Sequence, residues 1–152
     1  MQIEYLTQMK NTPIIKGDQN RGISEQEIEK LEQKFNIQFP KAYKEFLFLG
    51  GKYQNCIDDW DTDYLYLDWK QENLHESMSN VNLVLSPIFV FAAYDTDQCL
   101  FFFLNEGENP SVYIYAEEKF HKNNNGEYVY YKKLFNSFSD CIDKSIDEAL
   151  SK

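Results

Sequence analysis

Residues 23–51, ISEQEIEKLEQKFNIQFPKAYKEFLFLGG, carry the strongest folding instructions in the chain. Ser24 precedes an apolar-periodic run and Glu27 follows three residues later. This is the pattern of a capping box, in which each side chain satisfies a backbone N–H that the first helical turn leaves unpaired. Ile23 and Ile28 flank the box as a hydrophobic staple. Ile28, Leu31 and Phe35 then recur at helical spacing, and Asn36 suits the end of that helix. Pro40 suits the first turn of a second helix, where its missing N–H costs nothing. Tyr43, Phe46 and Leu47 give this second helix a buried stripe, and Gly50 and Gly51 predict its stop through the left-handed backbone that helix C-termini often adopt. The glycine pair is no phosphate loop, because no G-x-x-x-x-G-K-[ST] spacing follows it.

Beyond the second helix the period changes. From Tyr64 onward the pattern predicts strand, with a short helical piece around residues 69–77 and with Leu65 and Leu67 turned inward rather than Tyr64 and Tyr66. IFVFAAY and QCLFFFL read as strands joined by the acidic turn Asp95–Thr96–Asp97. PSVYIYAEE alternates, with Val112, Ile114 and Ala116 on one side and Tyr113 and Tyr115 on the other. EYVYYKKLF makes a fourth strand after a hairpin turn at Asn125–Gly126. Phe138, Ile142, Ile146, Ala149 and Leu150 mark an amphipathic closing helix that Ser137 or Ser139 can cap. The expected fold is α+β: a largely antiparallel sheet with two N-terminal helices and a C-terminal helix packed on one side of it. At 152 residues the chain fits one domain over 1–152, with 1–21 as a lead segment.

Charge is distributed unevenly along this framework. The formal net charge is −10, yet residues 54–118 hold 13 Asp and Glu against the single base Lys70, while the remainder is slightly basic. An acidic middle disfavours nucleic acid or an anionic membrane as ligand and favours a cationic partner. Solvated carboxylates that merely keep an aromatic-rich protein soluble are the alternative. The N-terminus has neither a basic lead nor an apolar run of signal length, and no stretch of about 18 apolar residues occurs, so a cytoplasmic protein is expected. Cys56, Cys99 and Cys141 are odd in number and lack CxxC spacing; they are expected to be reduced packing residues.

The densest acid lies in CIDDWDTDYLYLDW, residues 56–69. A calcium loop fails there: with Asp59 as the first ligand, Tyr64 holds the glycine place and Lys70 the final glutamate place. A loop starting at Asp95 fails as well, with Cys99 and Leu100 at the fifth and sixth places. Paired carboxylates beside tryptophan suit glycoside hydrolysis, but such pairs face each other across a substrate from separate elements, whereas Asp58, Asp59, Asp61 and Asp63 crowd into six residues. His75 and His121 stand in no zinc motif and are expected at a surface or helix end. No nucleophile elbow appears. No catalytic residue, metal or cofactor is therefore assigned. A binding surface fits the same residues, since acid steers an encounter and Trp and Tyr anchor an interface.

The order of residues resembles the SUKH superfamily, the bacterial immunity proteins related to a yeast cell-wall assembly and glucan-synthesis regulator. The resemblance is carried by Ile28 and Glu32 in an I-x-x-x-E helix, by Phe39 and Pro40 in the connector, and by Tyr43, Phe46, Leu47, Gly50 and Gly51. SPIFVFAAYDTDQCLFFFLN, PSVYIYAEE and FNSFSDCIDKSI are similar to the family's later strands and closing helix, so that about 22–150 is covered. Phe39 stands where leucine is commoner, and the turn after Tyr94 lacks a glycine common there. The resemblance implies a non-catalytic immunity protein that binds a cognate toxin, often a nuclease or deaminase, and the acidic middle of the chain makes a basic one the expectation. An intracellular scaffold or cell-wall regulator without a toxin is the alternative it implies. The expected partner contacts are Asp58, Asp59, Trp60, Asp61, Asp63, Tyr64 and Asp68, helped by Asp95 and Asp97.

Overall fold

The computed structural model describes all of residues 1–152. A lead segment of α1 (Thr7–Asn11) and the short hairpin β1 (Ile14–Ile15) and β2 (Asp18–Gln19) precedes α2 (Glu25–Phe35) and α3 (Lys41–Gly50). The capping box forms as the sequence predicts: Glu27 N–H donates to Ser24 Oγ at 3.1 Å, and Ser24 N–H donates to Glu27 Oε1 at 3.2 Å. Ile23 and Ile28 are both buried beside it. Asn36 ends α2 in the left-handed region at φ 54°.

The ends of α3 differ from expectation. Pro40 occupies the N-cap, one place before the first turn, and Gly51 is right-handed at φ −61°. Space constrains the glycines instead, Gly51 against backbone and Gly50 against side chains. A Cβ on Gly51 would lie 2.7 Å from the Leu47 carbonyl oxygen, and one on Gly50 would lie 2.7 Å from Met9 Cε and 3.0 Å from Gln54 Cβ.

The chain then forms a 3-10 turn (Tyr64–Tyr66) and α4 (Leu67–Asn80), followed by β3 (Ile88–Ala93), β4 (Gln98–Phe103) and β5 (Val112–Ala116). The hairpin of β6 (His121–Lys122) and β7 (Tyr128–Val129) leads to β8 (Tyr131–Phe135) and α5 (Phe138–Ser151). The main sheet is antiparallel, in the order β3-β4-β5-β8. One face, through Phe89, Phe91, Leu100, Phe102, Val112 and Ile114, meets α2, α3 and α5 in the larger core. Tyr43 sits at its centre, its ring 5.3 to 6.1 Å from those of Phe89, Phe91, Phe102 and Phe138. The α+β reading holds, with both N-terminal helices and the C-terminal helix on the sheet.

The second face is covered too, which the one-sided expectation missed. Leu74 and Met78 of α4 pack against Val90, Cys99, Phe101 and Tyr115, and Ser77 Oγ lies 2.8 Å from Tyr115 Oη. Residues 64–67 are therefore helical, not strand. Asp63 caps the turn by accepting Leu65 N–H at 2.9 Å, and Asp61 already occupies the edge of β3 through a pair of backbone bonds to Ala93. With the edge taken, the following residues turn away. Leu67 is buried as expected, but Leu65 is 65% exposed.

Other boundaries shift less. The predicted fourth strand breaks at Tyr130 into β7 and β8, and Leu150 is exposed at the end of α5. Ser137 caps α5 by accepting Asp140 N–H. All three cysteines are buried and unpaired. His75 is exposed on α4, whereas His121 lies half-buried on β6. No helix is long and apolar enough to cross a membrane.

Candidate functional site

The acidic residues reach one edge of the sheet through a backbone graft. Asp61 N–H donates to the Ala93 carbonyl at 2.8 Å and Ala93 N–H returns a bond to Asp61 O at 3.0 Å. Trp60 lies against Tyr94, ring centroids 5.8 Å apart. These contacts set Asp58 to Asp63 beside the β3–β4 turn that carries Asp95 and Asp97. Two acidic clusters more than 30 residues apart in the sequence thus become neighbours.

Once there, the carboxylates differ in what they do. Asp61 pairs with Lys70 Nζ at 3.1 Å, and the same ammonium donates to the Asp63 carbonyl at 3.0 Å. Lys70 is wholly buried, and loss of water lowers its pKa against the opposing pull of Asp61. The only base of the acidic segment is therefore the pin beneath its loop. Asp58 pairs with Lys152 at 2.6 Å, and Asp68 pairs with Lys34 of α2. Tyr64 donates its hydroxyl to Glu27 at 3.3 Å, tying the turn to the cap of α2. Asp59, held at φ 66°, Asp95 and Asp97 have no salt-bridge partner and offer uncommitted charge.

This division of labour predicts unequal mutants. Asp61→Ala leaves a buried ammonium unpaired and is expected to cost about 2 kcal/mol, below the ~3–5 of a fully buried pair because Asp61 is half exposed. Asp59→Asn, which removes the charge but keeps a residue type that tolerates φ 66°, should stay within about 0.5 kcal/mol. Urea unfolding of the two variants measures the contrast.

Asp95 and Asp97 lie against each other in the exposed turn. Asp95 Oδ1 accepts Asp97 N–H at 3.1 Å. Hydrogen bonding between the two side chains pushes the Asp97 pKa up to about 6, helped by partial burial and by the negative charge of Asp95, Glu118 and Glu117. The same hydrogen bonding, with that from the Asp97 backbone, holds Asp95 below its ordinary range. A raised folded-state pKa means that the folded turn takes up its proton before the unfolded chain does. The turn is relatively stabilised as pH falls through about 6, while it loses one negative charge. Carboxyl-carbon NMR should show one step near 6, and Asp95→Asn should return Asp97 toward the ordinary carboxylate range.

The loop Asp58–Trp60 is the wall between two clefts. One, of about 260 Å³, is bounded by Ile57, Trp60, Leu134, Phe135 and Lys152. The other, of about 310 Å³, lies toward Asp18, Lys52, Tyr53 and Asp63. No three His, Cys, Asp or Glu side chains converge to hold a metal ion. Beside the acid, Leu65, Tyr66 and Trp69 are 65%, 55% and 41% exposed. Sequence reasoning turned Tyr66 outward, as found, but missed Leu65 as a surface residue because it assigned a strand; at helical spacing Leu65 and Trp69 share a face away from buried Leu67.

Residues 22–144 match the SMI1 / KNR4 family (SUKH-1). The chain belongs to this family. No curated protein matches it. In this SUKH-1 chain the residues that carry the motif are framework. Glu32 accepts Phe39 N–H at 2.8 Å, holding the α2–α3 connector, and lies 3.7 Å from Lys44 Nζ. Ile28, Phe39, Tyr43, Phe46 and Leu47 are in the larger core, with Pro40, Gly50 and Gly51 shaping α3. The acidic loop lies outside these positions. The motif builds a platform, and the exposed residues among 56–69 and 94–97 lie outside it.

Proposed function

We propose that this SUKH-1 chain is a non-catalytic immunity protein that binds a basic protein toxin, of nuclease or deaminase type, and covers its substrate groove. The observation that supports the reading best is the gathering of two acidic clusters at one sheet edge, beside three exposed apolar side chains. Asp59, Asp95 and Asp97 supply the steering charge. Trp60, Tyr94 and Trp69 supply area to anchor the contact. Asp58, Asp61, Asp63, Tyr64 and Asp68 hold the surface in shape and contribute to its rim.

A groove that binds nucleic acid is basic, so an acidic cover competes for it directly. The test is co-expression with the product of the adjacent reading frame. Growth should be rescued and the two proteins should copurify. A chain that neither protects nor copurifies, with no toxin-sized frame beside its gene, favours an intracellular scaffold or cell-wall regulator instead.

A further inference from the structure

A second surface adjoins the acidic turn and has the opposite sign. Between Lys119 and Lys133 four lysines face one glutamate, in a chain of net charge −10. Phe120, just before β6, and Tyr128 of β7 are 51% and 58% exposed, and Tyr128 lines a groove of about 500 Å³. Lys122 Nζ lies 4.9 Å from the centre of the Tyr128 ring, and Lys119 Nζ lies 4.5 Å from that of Tyr130, so the ammonium groups lie over the rings of their own hairpin. The segment that leads into the basic hairpin adjoins the acidic turn: Glu117 N–H donates to the Asp97 carbonyl at 3.1 Å, and Lys119 follows two residues later.

Adjacent patches of opposite charge on one face are self-complementary under a two-fold rotation, which carries each patch onto the other. We propose that two copies of the chain pair through this face, the lysine-aromatic hairpin of each lying on the Tyr94–Asp97 turn of the other. Exposed aromatic rings supply the apolar centre and the crossed charges fix the register. Nucleic acid suits the hairpin poorly, because Asp95, Asp97, Glu117 and Glu118 border it and repel phosphate.

Sedimentation equilibrium of the chain alone, up to about 100 μM, tests the pairing. The wild type should approach twice its 18.1 kDa mass. The pair Lys119→Glu with Lys122→Glu, and separately Asp95→Lys with Asp97→Lys, should each weaken the dimer by at least about tenfold. Both pairs lie in exposed hairpin or turn segments, and circular dichroism checks their fold. Mixing the two variants should restore a 1:1 dimer, because each then meets the sign it lacks. A monomeric wild type, variants that dimerise like the wild type, or a mixture that stays monomeric each overturns the proposal. The turn is the one assigned above to the toxin, so self-pairing and toxin binding compete for it; no toxin enters the measurement, and its failure leaves the immunity reading untouched.

Discussion

Gly22→Ala is expected to lower stability by about 4 kcal/mol or more, a loss reached only by a few mechanisms. A Cβ on Gly22 would lie 1.6 Å from the Phe48 carbonyl oxygen and 2.4 Å from its carbon. Backbone, not a flexible side chain, blocks it, so the strand of chain around residues 21–23 must leave α3. That movement also strains Ile23 N–H to Leu47 O at 3.0 Å and the bonds joining Arg21 to Lys52 and Tyr53. These contacts hold the lead segment against the start of the acidic loop. Thermal unfolding should show a midpoint lower by about 10 °C or more. A drop of less than about 3 °C would show that the close approach is not required.

Glu45→Ala is the second large effect, expected at about 3–5 kcal/mol, since it strips a buried anion from several donors at once. Glu45 is fully buried on α3 and accepts the backbone N–H groups of Glu4, Tyr5 and Leu6 at 3.1, 2.9 and 3.0 Å. Lys41 Nζ lies 3.4 Å away and also donates to Gln2 O. One carboxylate thus fixes the approach to α1 and seats Leu6 and Met9 in the core. Glu45→Gln keeps one acceptor oxygen and should lose roughly half as much. Limited proteolysis should cut the alanine variant within its first 11 residues long before the wild type. Equal resistance, with stability within about 1 kcal/mol, would contradict the role.

The parts of the fold that were legible in the sequence are those decided locally. Ser24 and Glu27 cap α2 from three residues apart, and the 3- and 4-residue spacing of Phe138, Ile142 and Ile146 makes the buried stripe of α5. The lead segment was not legible because its order comes from Glu45, about 40 residues away, and from Gln8 reaching Asp147. Tyr64–Leu67 alternates like a strand, but Asp61 had already taken the edge of β3 and Asp63 nucleated a helical turn. Tertiary context overrode the period.

The candidate site was half legible. Acid density located the loop, and the turn at Asp95 and Asp97 was named with it. What a sequence cannot show is which charges are spent: the bases that pair with Asp58 and Asp68 come from the C-terminus and from α2, and the one beneath Asp61 is buried. Nor does sequence show that Trp60 and Tyr94 meet, which joins the two clusters. The remaining free charge is smaller than the count of aspartates suggests, and it is concentrated on Asp59, Asp95, Asp97 and Asp63, the last of which also caps the 3-10 turn.

That concentration makes the binding surface directly testable. Affinity for the product of the adjacent reading frame should be measured by calorimetry for the wild type, for Asp59→Lys with Asp95→Lys and Asp97→Lys, and for Asp58→Ala with Asp68→Ala. The predicted result is a loss of about 100-fold or more for the triple reversal, shrinking as salt is raised, with less than about threefold for the pair already neutralised within the chain. A folded triple variant that binds as tightly as the wild type would contradict the account.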